Sequence, residues 1–218
     1  MRLQFVFLWA AIALGLLSGC ESIPDKDYTT FRQLQPKSVL VLPPLNNDFD
    51  ERASYSYLST ISRPLAEHGY YVFPVAVMDH FFKENGLPTP GEMHQISLKR
   101  VDEIVGADSV LYIEIEEYGT DYVVLSSNTK VAVNARLVDV RTGQEIWEGS
   151  KKLVVSSSDQ ANGDIIAMLI VAIFAQVVNT SVDDAHRVSR MLNAQLIPES
   201  GQGLLYGPRH ELFGTDGL

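Results

Sequence analysis

The sequence predicts an α/β (α+β) domain: a mixed sheet with an antiparallel meander, helices packed on it, and a long apolar helix near the C-terminus. Three observations carry this. Ser38 to Leu42 reads Ser-Val-Leu-Val-Leu and is closed by Pro43-Pro44, the short continuous apolar run that a strand buried on both faces produces. Val110 to Tyr118 and Thr129 to Asp139 alternate apolar and polar residues, the period of strands with one face solvated. Around these lie segments whose apolar residues recur at three- and four-residue spacing.

Taken in order, the chain begins with Arg2 and an apolar run from Phe5 to Leu17, the layout of a secretory signal peptide. The run is shorter than the ~20 residues of a spanning helix. It ends in Leu17-Ser18-Gly19-Cys20, with the chain's only cysteine last. This resembles the lipobox of bacterial lipoproteins, whose cysteine is diacylated and becomes residue one after the signal is cut. The resemblance implies a signal over residues 1–19 and a lipid on Cys20, where two or three acyl chains anchor stably and one does not. An uncleaved helix, or a plain signal followed by a buried cysteine, is the alternative.

Residues 20–37 are polar with Pro24 and Pro36, a composition that predicts a flexible tether. The domain is expected over 38–197. After the Ser38 strand, a loop rich in Asn46, Asn47, Asp48 and Asp50 leads to a helix with Tyr57, Leu58, Ile61 and Leu65 inward, stopped at Gly69 and disturbed by Pro64. Tyr70 to Phe73 is a second strand. Helices are expected over Val75 to Asn85, with Val77, Met78, Phe81 and Phe82 inward, and over Glu92 to Val105. In the Val110 strand, Leu111, Ile113 and Ile115 share one face, and Tyr112, Glu114 and Glu116 the other. Val131, Val133, Ala135 and Leu137 point inward from the next strand, and Gly143 supplies the positive φ of the turn to Gln144–Ser156.

Ile165 to Val178 is apolar on every side except at Gln176, and its continuation to Leu196 is amphipathic, with Pro198 as the stop. Three roles stay open for the apolar half: a core helix, a seam with a second copy or another envelope lipoprotein, or a bilayer-facing surface. Ile166, Ile170 and Phe174 are therefore candidate partner-binding residues. The glycine-rich tail 198–218 carries two apolar pairs, Leu204-Leu205 and Leu212-Phe213, which adds Leu205 and Tyr206 to the candidates.

The lipobox, the Val-Leu-Val-Leu-Pro-Pro strand, Asp-Val-Arg-Thr-Gly-Gln-Glu-Ile-Trp, and an apolar helix ahead of Leu-Leu-Tyr-Gly-Pro-Arg-His together resemble a family of Gram-negative outer-membrane lipoproteins of unassigned function, one of them catalogued as a surface vaccine antigen. More distantly, the strand and helix order is similar to the TolB amino-terminal domain and to CsgG-like lipoproteins. Such domains bind partners in the envelope and have no known catalysis. The resemblance thus implies a binding or assembly module of an envelope transport or secretion complex.

Composition and charge bear on function independently. The formal charge is −10, and loss of Arg2 with the signal makes it −11, so nucleic acid and anionic lipid headgroups are both expected to repel the chain. No Cys/His set has zinc spacing, and no phosphate loop, Gly-x-Ser-x-Gly or His-Glu-x-x-His occurs; neither an enzyme nor a cofactor is expected. The five histidines are spread over separate elements, as surface or helix-end residues. The alternative is an envelope hydrolase acting on carbohydrate or peptidoglycan through Glu114, Glu116 or Asp121. The lipobox resemblance further implies, through Glu21 rather than Asp after the cysteine, sorting to the outer membrane with the domain facing the periplasm.

Overall fold

In the computed structural model, which describes residues 26–123, 126–156 and 184–215, a six-stranded sheet runs β3-β1-β4-β5-β6, with β2 also paired to β4. The elements in chain order are α1 Thr29–Leu34, β1 Ser38–Val41, β2 Leu45–Asn46, α2 Ala53–Glu67, β3 Tyr71–Val72, α3 Val75–Glu84, α4 Pro90–Met93, α5 Leu98–Ile104, β4 Ser109–Val123, β5 Ser126–Asp139, β6 Glu145–Ser156 and α6 Asp184–Leu196. β1 lies between β3 and β4 and is parallel to both. β4, β5 and β6 are the expected antiparallel meander. The mixed α/β class is thus the one the periodicities predict.

The inner face of the sheet is closed by α2 and α6. Leu111, Ile113, Ile115, Val131, Val133 and Leu137 meet Tyr57, Ile61 and Leu65 from α2, and Val188, Leu192 and Leu196 from α6. A polar seam joins the two helices: Tyr57 donates from its hydroxyl to Asn193 Oδ1, and Asn193 Nδ2 donates to Thr60 Oγ1 at 2.8 Å. All three residues are buried, so each needs the others to stay satisfied. Burial pushes the Tyr57 hydroxyl far above its ordinary pKa. On the outer face, α3, α4 and α5 cover only the first part of the sheet, packing Phe82, Met93 and Val101 on Leu40, Leu42, Val110 and Val138. The rest of that face carries Lys130, Asn134, Ser150 and Lys152, with Val154 exposed among them.

A β-bulge at Glu116 explains how β4 changes phase. Ile115 pairs with Val133 and Glu117 with Ala132, so one extra residue is absorbed and both Ile115 and Tyr118 point inward. The β5–β6 turn is built on Asp139, whose Oδ1 accepts from Thr142 N and Thr142 Oγ1 at 2.8 Å. Gly143, with φ +72°, completes it. Asp108 performs a similar task between elements: its Oδ2 accepts from Lys37 N and Ser38 N at 3.0 Å, fixing the start of β1.

Several expectations are corrected. Residues 20–37 are not a flexible tether throughout: Thr29–Leu34 is helical, with Tyr28 and Phe31 buried in the inner core, because these two aromatics gain more from burial than an extended linker would allow. The helix expected over Glu92 to Val105 is two, separated where Ser97 caps α5 by accepting from Arg100 N. Val77 is 62% exposed rather than inward, since α3 sits at the sheet margin and buries only Phe82 completely. Pro64 does not disturb the end of α2, which runs on to Glu67. The apolar stretch Ile165 to Val178 lies outside the described residues, as do the signal peptide and Cys20.

Candidate functional site

The two terminal segments meet at the lower end of the sheet, where β1 starts. Lys26 N donates to the Gly201 carbonyl at 3.1 Å, the buried Tyr28 hydroxyl donates to the Gly203 carbonyl, and Trp147 Nε1 donates to the Gln202 carbonyl at 3.0 Å. Further along this C-terminal strap, Gly207 N donates to the His68 carbonyl at 2.8 Å and Arg209 N to the Gly69 carbonyl at 3.1 Å. Backbone lies directly against backbone here: a Cβ on Gly207 would sit 2.6 Å from the Gly69 oxygen. The Gly207 of Gly-Pro-Arg-His is therefore a packing requirement.

Rings fill the gap beside this clasp. Tyr206 stacks on His210 with centroids 4.0 Å apart and tilts over His68 at 4.5 Å. His68 Nε2 donates to the Leu204 carbonyl at 2.5 Å, and the Tyr70 hydroxyl to the Leu205 carbonyl at 2.5 Å. The histidine expectation holds for His68 as a helix-end residue, since it caps α2, but not as a surface residue, for it is buried. The candidate residues Leu205 and Tyr206 thus serve the protein's own packing first. Their remaining surface lines a groove of about 660 Å³ with Lys26, Tyr28, Arg32 and Leu204. Ile166, Ile170, Phe174 and Cys20 fall outside the described residues.

At the upper end of the sheet, the loop after β2 presents a site that the residue patterns did not single out. Beyond the last β2–β4 pair, Asp48 Oδ2 accepts from Tyr118 N at 3.0 Å. Its Oδ1 accepts from Phe49 N at 2.6 Å and Asp50 N at 3.3 Å. Asn46 holds the loop from within, donating to the Asp50 carbonyl at 2.9 Å and accepting from Asp48 N at 3.0 Å. Asp50 is clamped in turn by Arg52 through Nε at 3.0 Å and a second guanidinium nitrogen at 2.8 Å, and that hydrogen bonding keeps its carboxyl below the ordinary range. Out of this polar scaffold Phe49 projects fully into solvent, at 102% relative exposure. The signal for it was in Asn-Asn-Asp-Phe-Asp: an aromatic set among residues that bond their own backbone.

The carboxylates considered for hydrolysis share the open part of the outer face. Glu114 is half-buried beside Tyr112, Asn134 and Arg136. Glu116, the bulge residue, accepts from Asn134 at 3.2 Å and from Asn47 at 3.3 Å. Asp121 pairs with Lys130 at 2.8 Å. Nearby, His94 Nε2 donates to the Pro43 carbonyl at 2.9 Å, and burial lowers its pKa below the ordinary value. Among the described residues no three His, Cys, Asp or Glu side chains are grouped to hold a metal, and no helix is long and apolar enough to cross a membrane.

Comparison with known proteins matches the chain over residues 26–209 to the family described as Putative lipoprotein GNA1162-like. A Neisseria meningitidis serogroup B protein named Putative lipoprotein NMB1124/NMB1162 is 41% identical over 200 residues, covering 90% of this chain and 93% of the relative. The crystal structure of lipoprotein GNA1162 from Neisseria meningitidis superposes with a TM-score of 0.55 at 41% identity, over 66% of this chain and 100% of that one. A PelC dodecamer subunit from Paraburkholderia phytofirmans gives a TM-score of 0.45 at 16% identity, over 78% and 89% of the two chains. The match spans both the strap and the Phe49 loop, and the chain belongs to the GNA1162-like lipoprotein family.

Proposed function

We propose that this lipoprotein is anchored through Cys20 in the outer membrane, facing the periplasm, and that its α/β domain is a binding or assembly module of an envelope transport or secretion complex. Family membership supports the lipid anchor. Leu17-Ser18-Gly19-Cys20 supports its position, and Glu21 the outer membrane. The observation that carries the binding role is Phe49, an aromatic side chain held fully in water on a loop whose backbone is bonded to Asp48, Asn46 and Asp50. An exposed aromatic on a fixed loop loses little conformational freedom on binding and is the kind of anchor on which interfaces concentrate their energy. Phe49 also lies at the opposite end of the sheet from the clasped N-terminal segment, so a partner reaches it without meeting the anchor. In this reading Glu114, Glu116 and Asp121 belong to a solvated sheet face and carry no chemistry.

Purification from detergent-solubilised membranes tests it. Wild type is expected in the membrane fraction with a defined set of envelope proteins, Cys20→Ala in the soluble fraction, and Phe49→Ala in the membrane without that set. An unchanged set of proteins with Phe49→Ala, at an unchanged melting temperature, would refute the binding role.

A further inference from the structure

The lower end of the sheet carries a second cluster of exposed apolar and basic side chains. Leu212 is 44% exposed and Phe213 40%, on a tight turn in which Phe213 N donates to the His210 carbonyl at 3.1 Å and Leu212 N to His210 Nδ1 at 3.1 Å. Phe213 forms one wall of a cavity of about 210 Å³ with Arg32 and Tyr206, and those two also line the larger groove that Lys26 enters. Arg209 lies over the ring of Tyr71 at 5.2 Å, and Tyr71 is itself exposed. In a chain of net charge −10, this end thus sets Arg32 beside Phe213 and Arg209 over Tyr71, while the Lys26 ammonium is held by the Glu148 carbonyl. The neighbouring Asp27 carboxylate is occupied by Thr29 N, and Glu199 by Lys151. Glu211 is acidic within the strap itself, and Asp108 and Asp139 lie at the same end of the sheet, bonded to Ser38 and Thr142.

The chain between the anchor and the domain determines what this cluster meets. Lys26 is bonded into the domain, and from Cys20 to Lys26 there are six residue steps, which span at most about 20 Å when fully extended. A domain on so short a lead is held within about that distance of the bilayer. Aromatic rings with arginine and lysine are the side chains that settle at the headgroup level, rings at the acyl boundary and cations on phosphate.

We propose that Leu212, Phe213 and Tyr71, with Arg32 and Arg209, form a seat by which the domain rests on the phospholipid surface, fixing its orientation with the Phe49 loop directed away from the membrane. The seat rests on the anchoring of Cys20 proposed above. The test uses the full lipidated protein reconstituted in phosphatidylcholine vesicles, with the variant Phe213→Trp. With the signal removed, the other indole is Trp147, which is buried and serves as the wild-type baseline. The introduced indole is expected to emit at shorter wavelength when the protein is on vesicles, and to lose emission when the lipid is replaced by brominated phosphatidylcholine. Adding Leu212→Asp is expected to reverse both changes while flotation with the vesicles persists. Flotation with an unquenched introduced indole would overturn the seat and leave the anchor standing; a blue-shifted but unquenched indole would assign the cover to another part of the chain and overturn it equally. Failure of the wild type to float would overturn both.

Discussion

At the lower end of the sheet, main chain is pressed on main chain: Gly69 meets Gly207, Lys26 N bonds to the Gly201 carbonyl, and the rings of His68, Tyr206 and His210 fill the space beside them. At the upper end the backbone is held instead by short polar side chains, Asn46, Asp48 and Asp50, and the Phe49 ring is turned outward. The first arrangement buries what it gathers and tolerates no added atom. The second leaves the outward position free of packing duties. The difference separates stability from recognition, because a side chain exposed to solvent is free to be chosen for what it touches elsewhere.

The sharpest way to break this contrast is Gly207→Ala. Its Cβ would meet the Gly69 carbonyl oxygen and carbon at 2.6 and 2.7 Å, both backbone atoms, so the strap has to lift. Overpacking of this kind is expected to cost roughly 2 to 3 kcal/mol in urea denaturation, with increased proteolysis of the tail. Next is Asp48→Ala, which leaves three backbone donors without their acceptor. It is expected to cost about 2 kcal/mol and to raise hydrogen exchange at the Phe49, Asp50 and Tyr118 amides while the strap amides stay protected.

His94 sharpens the comparison at the upper end. Burial lowers its pKa below 6.5, against the Pro43 carbonyl and nearby Glu114, which act the other way. A lowered histidine pKa means that the unfolded chain takes up the proton first, so stability is full above about pH 6.5 and falls as pH drops through the window below it. Thermal melts of wild type against His94→Gln are expected to converge in acid and diverge near neutrality, where only the wild type gains. The smallest effect on stability belongs to Phe49→Ala, expected within about 0.5 kcal/mol of wild type although it removes the proposed anchor. A cost several times larger in denaturation would show that the ring packs in the fold after all and would erase the contrast.

Much of the architecture was legible because it depends on local period. Leu111, Ile113 and Ile115 alternate in the chain and share the inner face in the structure; Tyr57, Leu58, Ile61 and Leu65 recur at helical spacing and are all buried. Errors came where a single side chain overrode the pattern. Ser97 divides a continuous apolar period by capping α5, and Glu116 shifts the phase of β4 through a bulge that no composition marks. Of the candidate site residues, Leu205 and Tyr206 were found by being apolar in a polar tail, but the pattern could not show that Tyr206 lies between two histidines, one of them over a hundred residues away.

What neighbours along the chain carry could be read from residue order: the lipobox with its lone cysteine, the family, the strand and helix periods, and the Asp139–Gly143 turn. It took the folded molecule to show that Lys26 bonds to Gly201, that Gly207 admits Gly69, and that Asp48 docks the Phe49 loop on Tyr118. The physical reason is common to all three. Each depends on the distance between backbones far apart in sequence, and a close approach leaves no periodic trace in the residues that permit it.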